Sequence, residues 1–165
     1  MVLNKLTNDE FEDIRYSYYS QGDPGFGFEK DEKGNYKFPL TRLPHPYSVI
    51  IGEDVEIGSF TVIHRGRWRD TVIKRGTKID SLVHVAHNVV IGEDCLIVAG
   101  TVLGGSCTIG NKCQIGMNVS IMQGVTIAHN VTIGMGSVVR HDIWEENTTW
   151  AGNPCRKIAE VQKNL

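Results

Sequence analysis

The chain has 165 residues, 41% of them hydrophobic, and sets 17 Lys and Arg against 19 Asp and Glu for a net charge of −2. That length supports one domain with a core of its own, and the near-neutral charge gives no general attraction to nucleic acid or to an acidic membrane surface. No apolar run is long enough to span a bilayer, and the opening Met1-Val2-Leu3-Asn4-Lys5 lacks the apolar stretch of a secretory signal.

Residues 1–47 do not repeat. Thr7-Asn8-Asp9-Glu10 offers an N-cap with acidic residues in the first turn, so a short helix to about Tyr18 is expected. Gly22 to Phe28 is rich in turn residues, and Glu29 to Phe38, centred on Lys33-Gly34-Asn35, reads as a hairpin. Gly25-Phe26-Gly27 lacks the strand–turn–helix setting of a nucleotide-binding loop and is not read as one.

A different order holds over residues 48–144. Ile73, Ile79, Val85, Ile91, Ile97, Leu103, Ile109, Ile115, Ile121, Ile127, Ile133 and Val139 stand six residues apart. Four residues after each anchor up to Ile133 comes a small or β-branched residue, from Thr77 and Val83 through Cys95, Cys107 and Cys113 to Ser137. A period of six fits neither an α-helix nor one long strand. It fits short parallel strands joined by tight turns and coiled into a β-helix, with the anchor pointing inward and the compact residue at an inner corner. Gly directly after the anchor, as at Gly92, Gly110, Gly116 and Gly134, is expected to let the backbone turn without a Cβ penalty.

The register extends back through Ile51, Ile57 and Ile63 and then breaks, because Ile63 and Ile73 are ten residues apart. The extra residues lie within Gly66-Arg67-Trp68-Arg69-Asp70-Thr71, polar and bulky, and are expected to form a loop thrown out at one corner, either functional or a neutral insertion. Three of the four cysteines occupy inward slots, so free buried thiols and a reducing compartment, the cytoplasm, are expected. From Ala151 the chain is expected to leave the coil, with Ile158 to Leu165 as a short capping helix; the segments are 1–47, 48–144 and 145–165.

Stacking Ile63, Val85, Leu103, Ile121 and Val139 on one edge aligns the residues two positions later: Arg65, His87, Gly105, Gln123 and His141. An outward His below a Gly of the next coil can take a proton, while the unshielded Gly N–H can face a developing oxyanion.

The hexad pattern resembles the left-handed β-helix acyltransferases, and the three-sided turn follows from that resemblance. His84-Val85-Ala86-His87-Asn88-Val89-Val90-Ile91-Gly92 is similar to the catalytic segment of the acyltransferases of lipid A biosynthesis, above all their N-acyltransferase branch. Gly25 to the hairpin resembles the insert before that branch's later coils. Ile63-His64-Arg65-Gly66 with Asp70-Thr71-Val72-Ile73 also follows it, although His64 replaces an acid and His-Arg-Gly is closer to the O-acyltransferases. The resemblance covers about residues 21–140 and implies His87 as general base and Gly105 as oxyanion donor.

The departures are specific. The second active-site His of that branch falls on Gly124, and neither its uridine-gripping N-terminal domain nor its C-terminal helical extension is expected here. Ala151-Gly152-Asn153-Pro154-Cys155-Arg156-Lys157-Ile158 resembles instead the closing segment of hexapeptide acetyltransferases that use coenzyme A. That resemblance implies cofactor contacts at Asn153, Arg156 and Lys157, and Gly105 and Gln123 of the stacked column are further candidate cofactor contacts. His64, Arg65, Trp68, Asp80 and His84 are candidate substrate contacts, Asp80 by orienting an imidazole and Trp68 either by stacking on a base or sugar or, alternatively, by packing on a neighbouring subunit. No metal is expected, since His84 and His87, three apart, do not ensure that three ligands converge.

The expected protein is therefore an acyl-CoA-dependent, preferably acetyl-CoA-dependent, N-acyltransferase. Its substrate is the amine of a nucleotide-linked amino sugar in surface-glycan synthesis, and it works as a homotrimer with sites between subunits. The alternatives are a lipid A N-acyltransferase fed by a hydroxyacyl carrier protein and a non-catalytic β-helix scaffold.

Overall fold

A computed structural model describes residues 26–160. The helix expected up to Tyr18 lies outside them. Short strands, most of two residues, alternate with turns and pair in parallel to form three sheets. One face begins with Val49–Ile51 and Thr71–Ile73, a second with Glu56–Ile57 and Lys78–Ile79, and a third with Val62–Ile63 and His84–Val85. Pairing of Ile73 with Ile91, Ile91 with Ile109, and Ile109 with Ile127 advances each coil by 18 residues. The first coil is longer by four, since Ile51 pairs with Ile73, Ile57 with Ile79 and Ile63 with Val85. The architecture is a parallel β-solenoid with no helix among the described residues.

All twelve anchors from Ile73 to Val139 are buried, as are all eleven residues four positions after them. Each buried Val, Ile or Leu stabilises the coil by about 1.5–3 kcal/mol relative to exposure. The inner corners also bond. Thr77 Oγ1 donates to the Gly92 carbonyl at 2.7 Å and Thr101 Oγ1 to Gly116 at 2.9 Å. Cys95, Cys107 and Cys113 donate in the same way to the carbonyls of Gly110, Met122 and Ala128, each at 3.1 Å. The thiols are therefore more than small hydrophobes: they fill a slot whose donor answers a carbonyl that burial would otherwise leave short of partners.

The turns work differently from the expectation. The left-handed residue lies three positions after the anchor, at Gly76, Leu82, Asn88, Asp94, Gly100, Ser106 and onward at the same interval to Gly136. Asn, Asp and Gly tolerate that conformation best. Glycines directly after an anchor serve close approach instead. A Cβ on Gly92 would stand 2.6 Å from the Gly110 carbonyl carbon, and one on Gly110 2.6 Å from that of Ala128.

The coil runs past residue 144. Ile143 bridges to Ile127, Thr148–Ala151 pairs with Thr132–Ile133, and Cys155, buried, donates its N–H to the Val138 carbonyl at 3.0 Å. These make a partial sixth coil above five complete ones. The expected capping helix is corrected: Arg156–Glu160 is a strand folded back antiparallel on Thr148–Ala151. A strand satisfies the donors and acceptors of an open sheet edge, which a helix leaves bare. At the other end the hairpin is present, with Lys30 bridged to Tyr36 and the Asp31 carboxylate accepting the N–H groups of Lys33 and Asn35 at 2.9 Å. Among the described residues, no helix is long and apolar enough to cross a membrane.

The cysteines are free and buried, and burial pushes the Cys107 thiol up to about 11. Cys95, Cys107 and Cys113 are expected to resist a thiol reagent in the native protein and to react fully after unfolding; rapid native-state labelling of any one of them would break the register.

Candidate functional site

The four-residue insertion is held down rather than loose. Asn88 sits in the left-handed corner conformation, fully buried. Its side-chain Oδ1 accepts the N–H of Arg67 at 2.7 Å and that of Trp68 at 3.3 Å. Arg69 Nε donates to the Asn88 carbonyl at 3.1 Å, and the Asn88 N–H donates to Thr71 Oγ1 at 2.9 Å. One corner residue thus pins the inserted loop over the neighbouring His87.

Asn88 also orients that histidine. With Oδ1 committed to backbone donors, Nδ2 faces His87 Nδ1 at 2.9 Å and Ser106 Oγ at 3.3 Å. In this arrangement Nδ1 is the acceptor, and the neutral imidazole carries its proton on Nε2. The ring lies against Gly105: a Cβ there would stand 2.7 Å from His87 Cε1 and 2.9 Å from Nε2. Among the described residues, the Gly105 N–H donates to no acceptor. The Trp68 and His45 rings stand 6.0 and 5.3 Å from that of His87. Burial, His45 and the Arg67 guanidinium hold the His87 imidazole below its ordinary value.

A cleft of about 850 Å³ opens here, between the hairpin residues Phe28, Lys30, Tyr36 and Lys37 and the corner residues Arg67, Trp68, His87, Gly105, Ser106 and Gln123. That size suits a small-molecule ligand. A single chain therefore already builds a concave site, which the flat faces of a bare β-helix would not provide.

Residues 70–105 and 106–141 each match the family model described as bacterial transferase hexapeptide (six repeats). The chain is 40% identical over 137 residues to UDP-3-O-acylglucosamine N-acyltransferase of Methylorubrum extorquens (strain PA1), spanning 83% of this chain and 37% of that protein. It is 52% identical over 85 residues to the same-named protein of Geobacter sp. (strain M21), spanning 52% of this chain and 23% of that one. A crystal structure of UDP-N-acetylglucosamine acyltransferase superposes with a TM-score of 0.68 at 30% identity, over 82% of this chain and 50% of that one. The chain belongs to the hexapeptide-repeat family. It spans well under half the length of these curated relatives.

On this hexapeptide-repeat scaffold the expected site residues separate into groups. His87, Gly105, Gln123 and Trp68 meet in the cleft. Arg65 lines a second hollow of about 330 Å³ with Arg42, Leu43, Pro44, His45 and Pro46. His64 and His84 face each other edge to face at 4.8 Å, outside both linings. The Asp80 carboxylate accepts the N–H of Ser81 at 2.7 Å and so caps its own turn. Asn153, Arg156 and Lys157 stand at the last coil, outside the cleft lining. As neighbours in one strand, Arg156 and Lys157 point to opposite faces, and Lys157 Nζ pairs with Glu145 at 2.6 Å. Among the described residues, no group of three or more His, Cys, Asp and Glu is placed to hold a metal.

Asn88, Arg67 and His45 were not singled out in the sequence. Asn88 had a readable signal, since it occupies a left-handed slot beside the candidate base. His45, only 2% exposed, is flanked by Pro44 and Pro46, whose rings restrict the backbone around it.

Gly105→Ala tests the central contact. The added methyl is expected to displace the His87 ring, and the His87 titration followed by NMR should move up toward about 6.5, the ordinary imidazole value. An unchanged titration would mean that ring and glycine are not in contact.

Proposed function

We propose that the protein is an N-acyltransferase acting on the amine of a nucleotide-linked amino sugar. The observation that carries this reading is His87 laid against Gly105 in a cleft of substrate size. The 40% identity to a UDP-3-O-acylglucosamine N-acyltransferase supports it. It also favours a hydroxyacyl carrier protein as donor over acetyl-CoA. The acetyl-CoA expectation leans on a paired basic turn, and Arg156 and Lys157 do not act as a pair on one face.

In this mechanism the sugar amine attacks the thioester carbonyl, a C–N bond forms, and the C–S bond breaks as the thiol leaves. His87 takes the amine proton and later returns one to the departing sulfur. The Gly105 N–H stabilises the tetrahedral oxyanion. The buried cysteines take no part, so no acyl-enzyme forms. Acceptance at Nε2 requires the proton to sit on Nδ1, so for His87 to act as a base the Asn88 Nδ2 must release Nδ1 while its Oδ1 stays on the Arg67 and Trp68 N–H groups. Asn88 is thereby a positioning residue that chooses between a donating and an accepting His87.

His87→Ala is expected to lower kcat by ~10²–10⁴-fold without lowering the melting temperature. Asn88→Asp fixes an acceptor at Nδ1 and should retain activity while raising the acid limb of the pH profile. A loss as deep as that of His87→Ala would assign His87 a donor role instead.

Because the wild-type imidazole is held below its ordinary value, its neutral form persists to lower pH. The acid limb of kcat/KM in the wild type is therefore expected below about pH 6.5; a limb above that value would remove His87 as the titrating base.

Thiol release with UDP-3-O-acylglucosamine as acceptor, comparing a 3-hydroxyacyl carrier protein with acetyl-CoA, decides the donor. Release with neither leaves the scaffold reading. A homotrimer completes the proposal, with the cleft facing a neighbouring coil, and sedimentation of an active monomer would refute it.

A further inference from the structure

Two buried side-chain polar atoms lack a hydrogen-bond partner among the described residues: His45 Nε2 and Arg65 Nε. Both belong to residues that line the same hollow of about 330 Å³. Leaving such an atom buried and unpaired is destabilising, and the coil elsewhere answers even its inner thiols and hydroxyls with carbonyls. Their coincidence at one hollow marks a place built to receive a polar group.

The surroundings specify its charge. The lining holds Arg42 and Arg65 and no carboxylate. His45 Nδ1 donates to the Leu43 carbonyl at 3.0 Å, which sets the ring and leaves Nε2 as its remaining polar atom. Arg65 follows Ile63 by two positions, as His87 follows Val85, and Ile63 pairs with Val85, so Arg65 lies one coil below His87 in the same column. The hollow and the cleft share Leu43, and the His45 and His87 rings are 5.3 Å apart.

We propose that this hollow is an anion subsite, with Arg42, His45 and Arg65 receiving the diphosphate of the nucleotide-linked sugar whose amine lies at His87. The identity of the anion rests on the proposed function; the subsite itself rests on the unpaired atoms and the two guanidinium groups. Burial, together with the Arg67, Arg65 and Arg42 guanidinium groups, holds the His45 imidazole below its ordinary value and so favours its neutral form. A bound phosphate supplies the opposing charge, and Nε2 then takes a proton from solvent and donates to a phosphate oxygen.

The phosphates of an acyl donor share this chemistry, so the test has separate arms. Titration calorimetry of the full chain with UDP, GDP and coenzyme A compares the wild type with Arg65→Gln and Arg42→Gln. Arg65→Gln is expected to weaken nucleoside diphosphate binding by about tenfold or more, with coenzyme A affinity unchanged and the melting temperature preserved.

The subsite is overturned if neither nucleotide binds the wild type, if Arg65→Gln binds both as well as the wild type, or if only coenzyme A loses affinity. Acyl transfer assayed in parallel separates the two proposals. Arg65-dependent nucleotide binding without any transfer leaves the subsite standing and removes the enzyme reading. Transfer with an Arg65→Gln variant of unchanged sugar-nucleotide KM does the reverse.

Discussion

Each coil is tied to the next by backbone hydrogen bonds in strict register, and nearly everything else follows from that ladder. Because Ile73, Ile91, Ile109 and Ile127 must stay aligned, a residue cannot be added to a coil without shifting every inward side chain above it. An insertion survives only where the chain turns and can leave the coil. The four extra residues of the first coil do this between Ile63 and Thr71, and the rule that expels them also delivers Arg67 and Trp68 to the edge of the cleft.

Asn88 shows how few atoms are needed to convert such an expelled loop into part of a site. The same residue supplies a left-handed corner, two acceptor contacts for the inserted loop and a donor to His87. The corner would accept Gly or Asp on conformational grounds. The hydrogen bonds are what distinguish Asn, since only a carboxamide offers both an acceptor to Arg67 and a donor to the imidazole.

The core was legible in the sequence because its signal is local and repeated. Anchors such as Ile91 and inward slots such as Cys107 are set by position in a six-residue period, and the column holding His87 and Gly105 follows by counting. What was not legible depends on contacts between distant segments. The hairpin wall of the cleft and the approach of His45 to His87 join residues thirty or more positions apart, with no shared period to predict their meeting. The role of Gly92 and its counterparts was misjudged for a related reason: their constraint comes from the backbone of the next coil, not from their own dihedral angles. The tail was misread because Arg156–Glu160 takes its structure from the strand it covers.

That covering strand has a consequence for assembly. A parallel β-solenoid is a growing template, and its last rung offers the same bonds to a foreign strand that each earlier rung offered to its successor. By reversing direction, Arg156–Glu160 occupies the outer edge of Thr148–Ala151 with antiparallel bonds. A further parallel coil then finds that edge already taken. That strand therefore acts as a cap on one of the three faces, and removing it would expose an edge suited to addition of a foreign strand.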